Sequence, residues 1–105
     1  QWGGNNRRGI DCSGYVHTVF QILSLELPRT VEDLYRFGEP VRPGKLRLGD
    51  LVFFRFKGDA GPTHVGIYLG EGLFIHASVE SGVRKNALAE QRYEEHFYGC
   101  RRILG

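Results

Sequence analysis

In the stretch GIDCSGYVHTVF, residues 9–20, a cysteine stands between an acid and a serine, immediately ahead of an apolar run. Four chemistries are open to Cys12: core thiol, half of a disulfide, metal ligand or nucleophile. Two histidines bear on the choice. His64 opens the alternating run THVGIYLG, and His76 lies in LFIHAS, twelve residues later. Thiolate is the attacking form of cysteine, and the start of a helix lowers a thiol's pKa because it favours negative charge. An imidazole nearby adds to that effect and later protonates a leaving amine. A second polar ring nitrogen holds the first imidazole in one tautomer, the task that Asp or Asn performs in other triads. Backbone N–H groups at a helix start also offer part of an oxyanion hole.

The same side chains have other uses. A single cysteine on a helix is most often a core residue, and a strand histidine is usually packed or simply exposed. One Cys and two His also suit a catalytic zinc, with water as fourth ligand. Zinc cysteines normally come with a close partner such as C-x-x-C, and none is present. The second cysteine, Cys100, sits in FYGCRRIL between Gly99 and a basic pair, and reads as a small buried hydrophobe on a strand. Two cysteines permit one disulfide in an oxidising compartment. Residue types and spacing by themselves leave the thiol enzyme, the zinc site and the structural role all open.

The elements that must position these residues are legible. From Tyr15 onward, apolar residues fall at Val16, Val19, Phe20, Ile22 and Leu23, the spacing of one helix face. Asp11 reads as the N-cap of that helix, which puts Cys12 in its first turn. Leu27-Pro28 ends the element, because the residue before proline avoids the helical region. A second helix is expected over Val31–Phe37, with Thr30 and Asp33 as a capping box and Gly38 just past its end. EPVRPG and LRLGD read as turns. The texture then becomes strand-like. Residues 50–56, DLVFFRF, fit a strand buried on much of both faces. THVGIYLG and LFIHAS flank Glu71-Gly72 and form a β-hairpin, in which His64 and His76 fall near each other on one face without being directly opposite. SGVRK and YGCRRIL supply further strands, and residues 88–97 are either a short helix or a loop. Helices first and antiparallel strands after describe an α+β domain.

The totals agree. A chain of 105 residues is enough for one compact domain with a single core, so residues 1–105 are read as one domain. The apolar share, 41%, is that of an ordinary globular protein. No apolar run approaches the roughly 20 residues that span a bilayer, so no membrane contact is expected from the domain itself. Nothing resembles a signal peptide, and a start at Gln1 rather than Met reads as a processed or trimmed domain, which leaves an upstream lipid anchor possible. The net charge of +2 is mild and the basic residues are scattered, which argues against nucleic acid as a partner.

Four blocks, GIDCSGYV, LRLGDLVFF, HVGIYLGEGLFIHAS and the final RRIL, resemble in order and spacing the NlpC-type cell-wall cysteine peptidases. The resemblance runs over essentially the whole chain. It implies a papain-like α+β fold, with the cysteine helix packed on an antiparallel sheet. It also implies hydrolysis of amide bonds in peptidoglycan stem peptides, in the cell envelope, by a monomer with neither metal nor cofactor. By position, it implies that Cys12 is the nucleophile, His64 the general base and acid, and His76 the third, orienting residue. Asp11 and Ser13, which flank the nucleophile, then help to bind the amino end of the peptide. The family's Tyr-x-Trp-Gly-Gly block, whose tyrosine hydroxyl supports the oxyanion hole, corresponds here to Gln1-Trp2-Gly3-Gly4, so that tyrosine would fall just before Gln1. Two other readings keep the fold: an amidase or acyltransferase on another substrate, and a weakly active module that binds wall peptides.

Overall fold

The computed structural model describes residues 8–22, 27–58, 60–78 and 82–104. Helix α1 (Arg8–Ile22) is followed by α2 (Val31–Phe37), a two-residue strand β1 (Glu39–Pro40) and a 3-10 turn at Pro43–Lys45. Then come β2 (Leu51–Phe54), β3 (His64–Gly70), β4 (Leu73–Ser78), β5 (Gly82–Ala87), α3 (Gln91–His96) and β6 (Phe97–Arg102). Among the described residues all strand pairs are antiparallel, in one six-stranded sheet of order β1-β6-β2-β3-β4-β5. The expected α+β architecture, with the cysteine helix against an antiparallel sheet, is what forms.

Strand β2 explains why the sheet sits at the centre. All four of its side chains are buried, and they alternate between the two faces. Leu51 and Phe53 join Cys12, Val16, Phe20, Val31, Leu34, Val65 and Ile67 under α1 and α2. Val52 and Phe54 join Phe74, Tyr93 and Cys100 on the other face, beneath α3. Burying each phenylalanine contributes about 2 kcal/mol. The two cysteines therefore lie in different clusters on opposite faces of the sheet, a placement that keeps them from pairing. Neither is in a disulfide. Burial, with the Asp50 carboxylate adding to it, pushes the Cys100 thiol up to about 11, so it stays protonated and inert at neutral pH.

Helix α2 spans the residues expected of it. Thr30 Oγ1 accepts the N–H of Asp33 at 3.1 Å, which is one half of a capping box. The other half is missing, because the Asp33 carboxylate instead takes Arg36 Nη1 at 3.1 Å. Gly38 ends the helix in extended backbone (φ −83°), so the left-handed cap expected of it does not form. Its lack of a side chain matters for another reason: a Cβ there would lie 2.8 Å from Arg101 Cβ on β6. That approach also lets residues 39–40, read as turn, pair with Arg101 and Arg102 as β1.

LRLGD and RRIL meet in space. Asp50, 2% exposed, accepts the Arg47 N–H at 2.8 Å. Arg102 reaches it with a two-pronged contact, Nε to Oδ1 at 2.9 Å and Nη2 to Oδ2 at 2.8 Å. The turn before β2 is thereby fastened to the last strand. The hairpin turn is as expected: Glu71 (φ 53°) and Gly72 (φ 80°) both take positive φ, as a tight two-residue β-hairpin of primed type requires. Residues 88–97, undecided between helix and loop, contain α3. How α1 leads into Leu27-Pro28 lies outside the described residues. Among the described residues, no helix is long and apolar enough to cross a membrane.

Candidate active site

Helix α1 lies against β3 and β4. Cys12 and Val65, the residue after His64, belong to one buried cluster, so the packing brings the cysteine to the strand that His64 opens. Cys12 and Ser13 are both fully buried. The N-cap reading of Asp11 does not hold. Helix α1 begins at Arg8, so Asp11 is the fourth helical residue and Cys12 the fifth. Residues 8–10 carry no proline, and a single glycine costs a helix only about 1 kcal/mol, which packing of α1 offsets. The unpaired N–H groups of a helix belong to its first four residues, here the turn that precedes Cys12.

The two histidines meet as the hairpin geometry requires. His64 Nε2 and His76 Nδ1 are 2.8 Å apart, with the rings nearly perpendicular (87°). Gly66 makes room for this. A Cβ at that position would lie 2.8 Å from Phe74 Cδ2 and 3.1 Å from His76 Cβ. A bare backbone between two histidines on one face lets the His76 ring settle against β3. Phe54 and Phe56 flank His64, and Phe74 and Tyr93 flank His76, with ring centroids 4.7–6.1 Å away. This aromatic wall fixes both imidazoles in orientation and strips water from His76, which is 3% exposed.

The contacts continue beyond the expected residues. His76 Nε2 lies 2.8 Å from Asn86 Oδ1 on β5. Asn86 Nδ2 in turn donates to both carboxylate oxygens of Glu90, at 3.2 Å each. The sequence reading missed Asn86 and Glu90. The available signal was an asparagine inside a strand, where that residue is depleted. With Asn86 Oδ1 as acceptor, His76 Nε2 carries its proton and Nδ1 is the lone pair that accepts from His64 Nε2–H. The lone pair of neutral His64 is then on Nδ1.

Desolvation is the main force on His76 and holds its pKa below the ordinary 6.5; the Asn86 hydrogen bond and the Glu90 charge oppose it, while Arg84 and Arg92 add to it. The ring is therefore neutral at pH 7. A folded-state pKa below the unfolded one contributes stability that is complete above about pH 6.5 and is lost as pH falls through the folded value. Chemical denaturation between pH 7.5 and 5 should show a loss of stability on acidification, and a shallower loss in His76→Gln. Equal pH slopes in the two proteins would contradict a neutral, buried His76.

The same geometry bears on metal binding. Both nitrogens of His76 are taken, and two imidazole nitrogens 2.8 Å apart leave no space for an ion between them.

Comparison with known proteins adds an independent line. The family model described as NlpC/P60 family matches residues 1–102. Over 105 residues the chain is 43% identical to the murein DD-endopeptidase MepS/murein LD-carboxypeptidase of Escherichia coli (strain K12), covering 97% of this chain and 54% of that protein. The chain thus spans about half the length of this curated relative. An NlpC/P60 family protein of Bacillus cereus superposes with a TM-score of 0.84 at 35% identity, over 90% of this chain and 32% of the other. RipD of Mycobacterium tuberculosis superposes with a TM-score of 0.72 at 28% identity, over 90% of this chain and 67% of the other; it is described as a non-catalytic NlpC/p60 domain protein adapted to peptidoglycan binding. A match along almost the entire length, with the same helix-on-sheet arrangement in solved relatives, establishes that this chain belongs to the NlpC/P60 family.

Proposed function

We propose that this domain is a cysteine peptidase that hydrolyses amide bonds in peptidoglycan stem peptides, with Cys12 as nucleophile, His64 as general base and acid, and His76 as the orienting residue. The observation that carries the reading is the His64–His76 contact of 2.8 Å on the strands against which the Cys12 helix packs. His64 Nδ1 takes the thiol proton, and the thiolate attacks the scissile carbonyl carbon. The tetrahedral intermediate collapses as His64 returns the proton to the leaving amine, which departs and leaves a thioester on Cys12. His64 then deprotonates a water that attacks the thioester, and the new carboxylic acid and the free thiol are released. His76 holds the His64 ring through both half-reactions. Asp11 and Ser13 flank the nucleophile along α1 and are assigned to the amino end of the peptide, Ser13 from a buried position. A substrate of this kind lies in the cell envelope, where the domain acts as a monomer.

Purified peptidoglycan is the test substrate. Digestion should release stem-peptide fragments with new amino and carboxyl ends and no change in the glycan. Iodoacetamide should abolish the release, and a chelator should leave it unchanged, since thiol chemistry of this kind needs no ion. Loss on chelation with recovery on added zinc would replace the thiol mechanism by a metal one. Because the fold also serves the non-catalytic RipD, a wall-peptide-binding module is the second reading. Binding of muropeptides without turnover, together with a Cys12 that resists alkylation at mildly acidic pH, would favour it.

A further inference from the structure

We propose that Glu90, acting through Asn86, is a positioning residue that sets the tautomers of both histidines. This rests on the peptidase reading above. The Glu90 carboxylate accepts Asn86 Nδ2 at both oxygens and the Ala87 N–H at 2.8 Å. These hydrogen bonds hold its pKa below the usual carboxylate value, the Ala87 N–H most of all, so it stays ionised and can only accept. An ionised carboxylate dictates which way the amide points. Nδ2 must face Glu90, and Oδ1 must face His76 Nε2. A flipped amide would set an oxygen against two carboxylate oxygens and offer an N–H to His76.

The consequence passes along the chain of contacts. A carbonyl at His76 Nε2 requires a proton there and a lone pair on Nδ1. That lone pair requires a proton on His64 Nε2 and leaves the lone pair on His64 Nδ1, the nitrogen assigned as base. An amide in the opposite orientation reverses each step and puts a proton on His64 Nδ1, which then cannot accept one from a thiol. A group on the rim of α3, remote from the reacting atoms, thus selects between a competent and an incompetent base. Asn86 and Glu90 bracket the turn between β5 and α3, and Glu90 directly precedes α3. Among the described residues, the charged and titratable groups around His76 are His64 on β3, Arg84 on β5, Glu90, and Arg92 and Tyr93 on α3.

The test uses E90Q, N86D and the exchanged pair N86D/E90Q. In E90Q the charge that orients the amide is gone, and kcat should fall roughly ten- to hundredfold with KM within about twofold, the pattern of a group that orients rather than binds. N86D alone sets two carboxylates against each other and should also lose activity. In the exchanged pair the carboxylate at position 86 accepts from His76, while the amide at position 90 donates to that carboxylate and still accepts the Ala87 N–H, so kcat should return to within a few-fold of wild type. Nitrogen-15 chemical shifts of the imidazoles, which need no substrate, should report Nε2–H tautomers for His64 and His76 in the wild type and the exchanged pair, and mixed tautomers in E90Q. E90Q with unchanged tautomers and unchanged kcat would overturn the assignment. So would a loss that the exchanged pair fails to restore, because Glu90 would then act only through the start of α3. If the wild type itself turns over no peptidoglycan, the peptidase reading falls, and the imidazole shifts alone decide this inference.

Discussion

Cys12→Ala is expected to abolish hydrolysis of peptidoglycan, on the order of 10⁴-fold or more, while the domain remains folded. The size follows from covalent catalysis: without sulfur no thioester forms, and the histidine pair has no thiol to activate. Stability should change little. The side chain is fully buried among Val16, Phe20 and Val65, so its loss removes one heavy atom from a packed cluster, costing about 1 kcal/mol. Alanine is also the best helix former, which offsets part of that cost in α1. Cys100→Ala is the matched control. It removes the same atom from the opposite face and should lower stability to a similar degree without touching turnover. Alkylation adds a second readout. Cys100, its thiol pKa pushed up to about 11, should react only after unfolding, whereas labelling of Cys12 reports the same access that a substrate needs. Wild-type turnover in Cys12→Ala would refute the nucleophile assignment.

His64 and His76 should prove unequal. In the proposed mechanism His64 moves protons in both half-reactions, so in His64→Ala kcat should fall by about 10³–10⁴. In the proposed mechanism His76 orients His64 and moves no proton itself. His76→Asn or His76→Gln still offers an oxygen to His64 Nε2–H, so these variants should retain measurable activity, roughly ten- to a hundredfold below wild type. Gln extends further across the space over Gly66 than Asn does, and is expected to be the better of the two. A larger loss from His76→Gln than from His64→Ala would exchange the two roles. The comparison is sharpest in kcat at saturating substrate, where uniform binding effects drop out.

Much of this was legible before any fold was available, because the signals were local. The period of α1, the Val31–Phe37 helix after Thr30, the two-sided apolar run of β2 and the hairpin around Glu71-Gly72 each follow from a few adjacent residues. The hairpin also brought His64 and His76 onto one face, since strand side chains alternate with a period of two and the turn sets which residues approach. Tertiary structure decided what depends on distant neighbours. Asp11 lies inside α1, which begins three residues earlier, at Arg8, so the local start signal does not mark the helix's first residue. Gly38 is small because β6 passes 2.8 Å from where its Cβ would be, and Gly66 because the His76 ring must lie close by; neither reason is visible in a window of ten residues. The two cysteines are kept apart by a sheet whose strand order the sequence does not spell out. Most of all, the proton positions on the two histidines rest on Asn86 and Glu90. An asparagine in a strand is the one local mark they leave, and they acquire a role only when β5 pairs with β4 and α3 turns back beside it, because a hydrogen-bond chain depends on angles and on distances held to a few tenths of an ångström, which no local propensity encodes.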